Sequence, residues 1–215
     1  RGHQRSRGGR FGACSNVDGA ERAIRLSVDA AERMAQRSIS EVYVNVSGGR
    51  PQSTCFTGQC AILGNAVSPR DLESAIAAAV VQITPARRTV LHLAPIQYQL
   101  DGAKGISAPL GMHGSSLSVE LGVVTAESAH LRNLALAVER AHLSVSGYVI
   151  APYAAGKAVL AEDEMALGVI LIEMGGATTG ISIFHDCSQI FADRISIGGL
   201  AVPNDLAPGR FPKVA

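Results

Sequence analysis

Two apolar runs flank a turn rich in glycine and threonine between Gly168 and Phe184, and this stretch constrains the chain more than any other. Gly168-Val169-Ile170-Leu171-Ile172 is short and apolar, the pattern of a buried strand. Ile181-Ser182-Ile183-Phe184 alternates as a half-buried strand. Between them lies Glu173-Met174-Gly175-Gly176-Ala177-Thr178-Thr179-Gly180. Glycine permits positive φ, and without a side chain it lets backbone N–H groups approach an anion. Thr178 and Thr179 add hydroxyl donors, and Glu173 sets a carboxylate at the end of the first strand. The residues fit two readings, a plain hairpin loop and a phosphate cradle. Turn composition by itself favours the plain hairpin.

The rest of the chain bounds the setting. At 215 residues and 47% apolar content, one large domain or two small ones have enough material for a core. The net charge of +1 gives no electrostatic case for a nucleic-acid partner. Cys14, Cys55, Cys60 and Cys187 lack the spacing of a zinc or redox motif, so they read as unpaired thiols in a reducing cytosol. No apolar run reaches the roughly 18–20 residues of a membrane span. The Arg- and Gly-rich opening, residues 1–12, reads as a solvated loop without the apolar centre of a secretory signal. The first residue is not methionine, and both ends are expected to be truncated.

Local patterns place most elements. A helix is expected from Asp18, with Glu21 completing a capping box and Ile24, Val28, Ala31 and Ala35 on one face. Val42, Val44 and Val46 alternate as a strand that ends at Gly48-Gly49. One or two short strands are expected around Gly58. Ser68 then caps a helix with Pro69 at its first position and Asp71 at its third. Residues 88–102 read as a strand pair bent at Pro95, with Asp101 as a turn residue. A strand from Leu117 to Thr125 and a helix from about Glu127 to His142 follow. Next come a strand, a turn at Pro152 with a short helix, an acidic link at Ala161–Gly168, and three strands. The histidines form no cluster with carboxylates, and no metal site is expected.

Three strands with a glycine-rich first turn, then the Gly198-Gly199 step, resemble the actin-like ATPase superfamily. In that superfamily such a turn, of the form Asp-x-Gly-Gly-Gly-Thr-Thr-Asp, holds nucleotide phosphates. Further stretches narrow the likeness: "AERAIRLSVDAAERMA", "VYVNVSGGR", "APLGMHGSSLSVELGVVTA" and "NLALAVERAHLSVSGYVIAPYAAGKAVLAEDEMALGV". Together they closely resemble the FtsA family of bacterial cell-division proteins, from about Gly2 to Gly209.

The resemblance implies an α/β chain with a partial actin-like (ribonuclease H-like) ATPase fold. Residues 1–50 and 145–165 would be parts of subdomain 1A, 51–144 an inserted α+β 1C subdomain, and 166–215 the start of subdomain 2A. It implies ATP with Mg as cofactor, at most weak ATPase activity in the parent, and none expected of this chain. Glu173, Gly175, Gly176, Ala177, Thr178, Thr179, Gly198 and Gly199 are the expected cofactor-binding residues. The implied partners are FtsZ and other divisome proteins, with self-association through residues 51–144. The implied location is the cytoplasmic face of the inner membrane at the division site. The first phosphate loop, the FtsZ-binding subdomain and the membrane helix, which makes the membrane contact, are expected to lie outside this chain. A PilM-like pilus-assembly protein and a remnant that no longer binds nucleotide are the alternatives.

Four residues depart from the family pattern. Glu173 stands where aspartate is usual, which moves the carboxylate by about 1.5 Å. Ala177 replaces a glycine, at a cost on the order of 1 kcal/mol if that position needs positive φ. Gly180 replaces an aspartate or threonine, and Pro203 replaces a threonine.

Overall fold

The computed structural model describes residues 2–5, 8–10, 12–84 and 86–201. Expectations resting on Pro203 and on the chain after it lie outside the described residues. In chain order the elements are β1 (Gly9–Arg10), β2 (Ala13–Cys14), α1 (Val17–Ala35), β3 (Glu41–Val46), β4 (Gln52–Ala61), α2 (Pro69–Val80), β5 (Arg88–Leu100), β6 (Ala103–Ile106), β7 (Ser116–Glu127) and α3 (Ser128–Arg140). These are followed by β8 (Ser144–Ile150), α4 (Ala151–Val159), α5 (Glu162–Leu167), β9 (Val169–Met174), β10 (Thr179–His185) and β11 (Ser188–Ile195).

The parallel pair β3–β8 is the centre of the first unit. Val42 and Val44 turn one face of β3 toward α1 and α3, where they pack with Ile24, Val28, Val138 and Leu143. The start of α1 differs from the sequence expectation. Asn16 is the N-cap, and its side-chain oxygen accepts the Gly19 N–H at 2.9 Å. Asp18 instead meets Arg140 of α3 at 2.7 Å, a partner that local spacing does not reveal.

The second unit is a four-stranded antiparallel sheet in the order β4-β7-β5-β6, with α2 on one face. Leu117, Val119, Leu121 and Val123 alternate along β7 and are sealed by Ala75 and Ala79 of α2. α2 is capped as its sequence predicts: Asp71 accepts from the Ser68 N–H at 2.8 Å, and Pro69 occupies the first turn. β4 is one ten-residue strand, not two. Gly58 does not break it but lets α2 lie against it, since a Cβ there would sit 2.0 Å from the Ala75 carbonyl oxygen. β5 is likewise a single strand, because Pro95 falls beside a bulge in the β5–β7 ladder.

This unit is entered and left at one point. The Glu127 N–H donates to the Gly49 carbonyl at 2.8 Å. The four-stranded unit therefore closes at Glu127, and α3 packs on α1 and β8 as part of the first unit.

The third unit is the antiparallel sheet β11-β10-β9. Phe184 is fully buried over α4, where Gly156 leaves room for its ring. The stretch expected as an acidic link is helix α5, with Glu164 accepting the Ala161 N–H at 2.9 Å and Met165 buried. The β3–β8 pair, the four-stranded sheet and the β11-β10-β9 sheet meet at Val124, Ile150 and Ala192. Among the described residues, no helix is long and apolar enough to cross a membrane.

Candidate functional site

The turn between β9 and β10 is folded against the later glycine pair. The Gly175 N–H donates to the Thr178 carbonyl at 2.8 Å and closes the loop. The Gly175 and Gly176 carbonyls accept from the Gly199 and Leu200 N–H groups, both at 2.9 Å. Thr179 donates its hydroxyl proton to the Ile197 carbonyl at 2.8 Å. Gly198 has no room for a side chain, since its Cβ would lie 2.5 Å from the Gly175 oxygen. The structure thus brings Gly175, Gly176, Ala177, Gly198 and Gly199 together through backbone contact, and Thr179 joins them through its hydroxyl.

What this leaves open is the tip. Among the described residues, the N–H groups of Gly176, Ala177 and Thr178 donate no hydrogen bond. Ala177 lines a pocket of about 490 Å³ whose other walls come from β1–β2, α1, Asn45, Ser47 and Leu134. Among the described residues that line it, most are small and none carries a positive charge. Backbone N–H donors are what the tip offers to an anion.

Glu173 sits behind the tip. It lines a narrow gap with Ser47, Pro152, Thr178 and Arg194, and burial raises its carboxyl pKa. Arg194 reaches across from β11 and donates to the Ser47 carbonyl at 2.6 Å, at the end of β3. Burial and the nearby Arg50 lower the Arg194 pKa. His130 is buried beneath Gly48 and Gly49. Burial lowers its pKa first and Arg194 second, while Glu127 opposes them. Among the described residues no group of three His, Cys, Asp or Glu side chains is placed to hold a metal ion. All four cysteines are free.

A model of the SHS2 domain inserted in FtsA matches residues 48–125, the unit that Gly49 and Glu127 close. Cell division protein FtsA of Rhizobium meliloti (strain 1021) is 47% identical over 208 residues, which cover 97% of this chain and 47% of that protein. The chain belongs to the FtsA family. FtsA of Agrobacterium fabrum is 48% identical over the same shares of both chains. FtsA of Pseudomonas aeruginosa is 34% identical over 94% of this chain and 48% of its own length. The chain spans about half the length of the curated FtsA relatives it matches. A solved PilM-PilN type IV pilus biogenesis complex shares the fold, with a TM-score of 0.57 at 13% identity over 94% of this chain and 55% of that one. The fold is accordingly a partial actin-like one with an inserted α+β unit.

Within this FtsA-family frame, two residues of the expected site have a defined internal setting. The hydroxyl proton of Thr179 is donated inside the protein, to the Ile197 carbonyl. Ala177 carries no backbone strain, since neither it nor the neighbouring glycines adopt positive φ. The glycines serve close approach, most clearly at Gly198. Sequence reading missed Arg194 and Ser47. Only the position of Ser47 at the end of a valine-alternating strand signalled the latter.

Proposed function

We propose that the intact protein is a cell-division adaptor that binds ATP with Mg at the Gly175–Thr178 tip. It self-associates and meets other divisome proteins through its inserted sheet, and tethers an FtsZ ring to the cytoplasmic face of the inner membrane. In this reading residues up to Gly49, with 128–165, belong to subdomain 1A. The block between Gly49 and Glu127 is 1C, and residues from 166 begin 2A. The FtsA family membership supports the division role.

The observation that carries the ATP reading is the interlocked pair of glycine turns. It fixes the tip while leaving three N–H groups without an acceptor among the described residues. Those of Gly176, Ala177 and Thr178 would hold phosphate oxygens. Glu173 would face the cation, whose charge favours the ionised carboxylate that burial disfavours. Bound ATP with Mg supplies the phosphoryl group for the weak hydrolysis expected of the parent, and no residue here is assigned a catalytic role.

The test is a titration of the full-length protein with a fluorescent ATP analogue, with and without Mg. Gly198→Ala is expected to abolish binding, and Glu173→Gln to remove its Mg dependence. Thr179→Val is expected to bind within about twofold of the parent protein, because its hydroxyl faces Ile197. Binding that survives both Gly198→Ala and Glu173→Gln would sink the assignment of the site, and absence of binding would sink the ATP reading itself.

A further inference from the structure

The four-stranded unit meets the rest of the chain along a narrow seam. Its own core, from Ile62 to Val123, lies apart from that seam. The chain enters the unit at Gly48 and Gly49 and leaves it at Glu127, whose N–H donates to the Gly49 carbonyl at 2.8 Å. Between these strands and the body the apolar contacts are few: Val124 meets Ile150 and Ala192, and Ala126 meets Val46. Two amides of the body have their acceptors across the seam. The Ala192 N–H donates to Ser53 Oγ at 2.7 Å, and the Ile150 N–H donates to His92 Nε2 at 3.2 Å. Two buried histidines line this seam, one on each side.

His92 belongs to β5 of the inserted unit, and its ring centroid lies 4.6 Å from that of Tyr153 in α4. Its Nε2 accepts a hydrogen bond, so a proton there breaks the contact. Val124 of β7 and Tyr153 face the ring, and Lys157 Nζ stands 5.8 Å over the Tyr153 ring. None of these three offers a negative charge. His130 belongs to the body, in the first turn of α3. A Cβ on Gly48 would lie 2.8 Å from its Cε1, and one on Gly49 2.8 Å from its Cδ2. The ring edge that carries Nε2 therefore lies against the entry strand. Among the described residues Nε2 has no hydrogen-bond partner, so a protonated ring would bury an unpaired N–H there. Arg194 of β11 and the N-terminal end of α3 disfavour a further positive charge, and Glu127 favours it. β2 and β8, which also pack on α3, bring Cys14 and Tyr148 as titratable groups, and α1 sets Asp18 and Arg25 against Arg140 at the far end of the helix.

We propose that His92 and His130 make this seam a proton-sensitive hinge, at which acid releases the inserted unit from the body as a folded whole turning about Gly48–Gly49 and Glu127–Ser128. Drawing β5 away from α4 uncovers His92. Lifting the entry strand off α3 uncovers His130. One motion thus brings both rings into water, where each takes up a proton near about pH 6.5, while the closed seam holds them neutral to lower pH. The closed arrangement is fully held above about pH 6.5 and is lost as pH falls below it. The hinge lies at the root of the inserted unit and does not rest on ATP binding.

The test is residue-resolved hydrogen exchange on the full chain, each rate divided by that of an unstructured peptide at the same pH. The Ile150 and Ala192 amides report the seam, and the Val119 and Leu121 amides of β7 report the core of the inserted unit. Between about pH 7.5 and about pH 5.5, protection at Ile150 and Ala192 is expected to fall at least about tenfold, toward a limit of about a hundredfold for two histidines. Protection at Val119 and Leu121 is expected to change less than about threefold over the same range. His92→Gln keeps an acceptor for the Ile150 N–H and is expected to remove about half of the effect on a logarithmic scale, and His92→Gln with His130→Gln to remove it. Should a variant fail to fold, the ring resonances of the unmutated chain decide: both histidines must titrate at the midpoint of opening, and a ring that titrates with no change at Ile150 overturns the proposal. Protection at Ile150 and Ala192 that ignores pH overturns it, as does a double variant as steep as the parent. Equal losses at Val119 and Leu121 mark global unfolding and overturn it too.

Discussion

Gly198→Ala is expected to separate the two glycine turns. The position does not use positive φ, so the cost is steric. A Cβ there would lie 2.5 Å from the Gly175 oxygen, 2.6 Å from the Ala177 nitrogen and 2.6 Å from the Gly176 carbonyl carbon. All three are backbone atoms, which cannot swing aside as a side chain would. Relief requires residues 197–200 to move off the tip. That breaks the Gly199–Gly175 and Leu200–Gly176 bonds, each 2.9 Å, and the Thr179–Ile197 bond of 2.8 Å. Three hydrogen bonds at about 1 kcal/mol each give about 3 kcal/mol. Leu200 is exposed, so water replaces part of what is lost, and a net destabilisation of about 2 kcal/mol is expected. Gly199→Ala is the matched control. Its Cβ would meet the Gly175 oxygen at an ordinary 3.8 Å, so its cost should stay below about 0.5 kcal/mol. Urea denaturation of both variants, compared at equal m-value, measures the difference. Hydrogen exchange at the Gly199 and Leu200 amides reports whether the lock has opened. Equal losses in the two variants would refute the steric argument, as would a Gly198→Ala loss below about 0.5 kcal/mol.

Acid should destabilise the fold through its histidines. Burial lowers the His92 pKa, and His92 Nε2 accepts the Ile150 N–H at 3.2 Å, which only a neutral ring does. Burial, then Arg194, lowers that of His130. The unfolded chain takes up its protons near pH 6.5, before the folded one, so stability is full above about pH 6.5 and declines below it. Urea midpoints between about pH 8 and about pH 5 check the sign, and His92→Gln should flatten the slope. Excision should be asymmetric. Residues 48–127 alone are expected to fold, because the core of Ile62, Val67, Ala75, Leu117 and Leu121 lies wholly within them. The remainder, joined by a short Gly-Ser linker, should be less stable by about 1.5–3 kcal/mol for the lost cover of Val124 alone. Circular dichroism and urea melts decide, and an unfolded excised unit contradicts the reading.

What could be read from sequence was what local chemistry decides. The α2 cap was legible because Ser68, Pro69 and Asp71 interact within one turn. The valines of β3 were legible because alternation survives in a half-buried strand. The cap of α1 was misplaced because Asp18 answers to Arg140, distant in the chain. The sequence reads as two strands at β5 and as one or two at β4, because Pro95 and Gly58 usually interrupt strands. Gly58 is kept here by the approach of α2 and Pro95 by a bulge. α5 was missed because its six residues show one buried side chain and no periodicity. At the site, the glycines were legible as turn formers and the use of Thr179 was not. Its acceptor is a carbonyl 18 residues away, placed by the fold rather than by a motif.

The inserted sheet and the β9–β11 sheet that carries the glycine tip meet because both are built onto the ends of the parallel strands. Val46 and Ile150, the last residues of β3 and β8, are buried under side chains of the other two sheets: Ala126 over Val46, Val124 and Ala192 over Ile150. The chain turns into the insert at Gly48 and Gly49 because His130 fills the space beneath them, and a Cβ at Gly48 would lie 2.1 Å from the Gly12 oxygen. β11 then touches both neighbours. Arg194 holds the end of β3 through Ser47, Ala192 holds the start of β4 through Ser53, and Ile195 pairs with Thr179 at the edge of the tip. Coupling between a ligand at the tip and a partner on the insert requires an element with two arrangements that both sites bias. β11 is the strand on which such an element would have to act, since a shift at Thr179 reaches Ser53 and Ser47 through contacts of 2.6–2.8 Å on its own backbone and arginine.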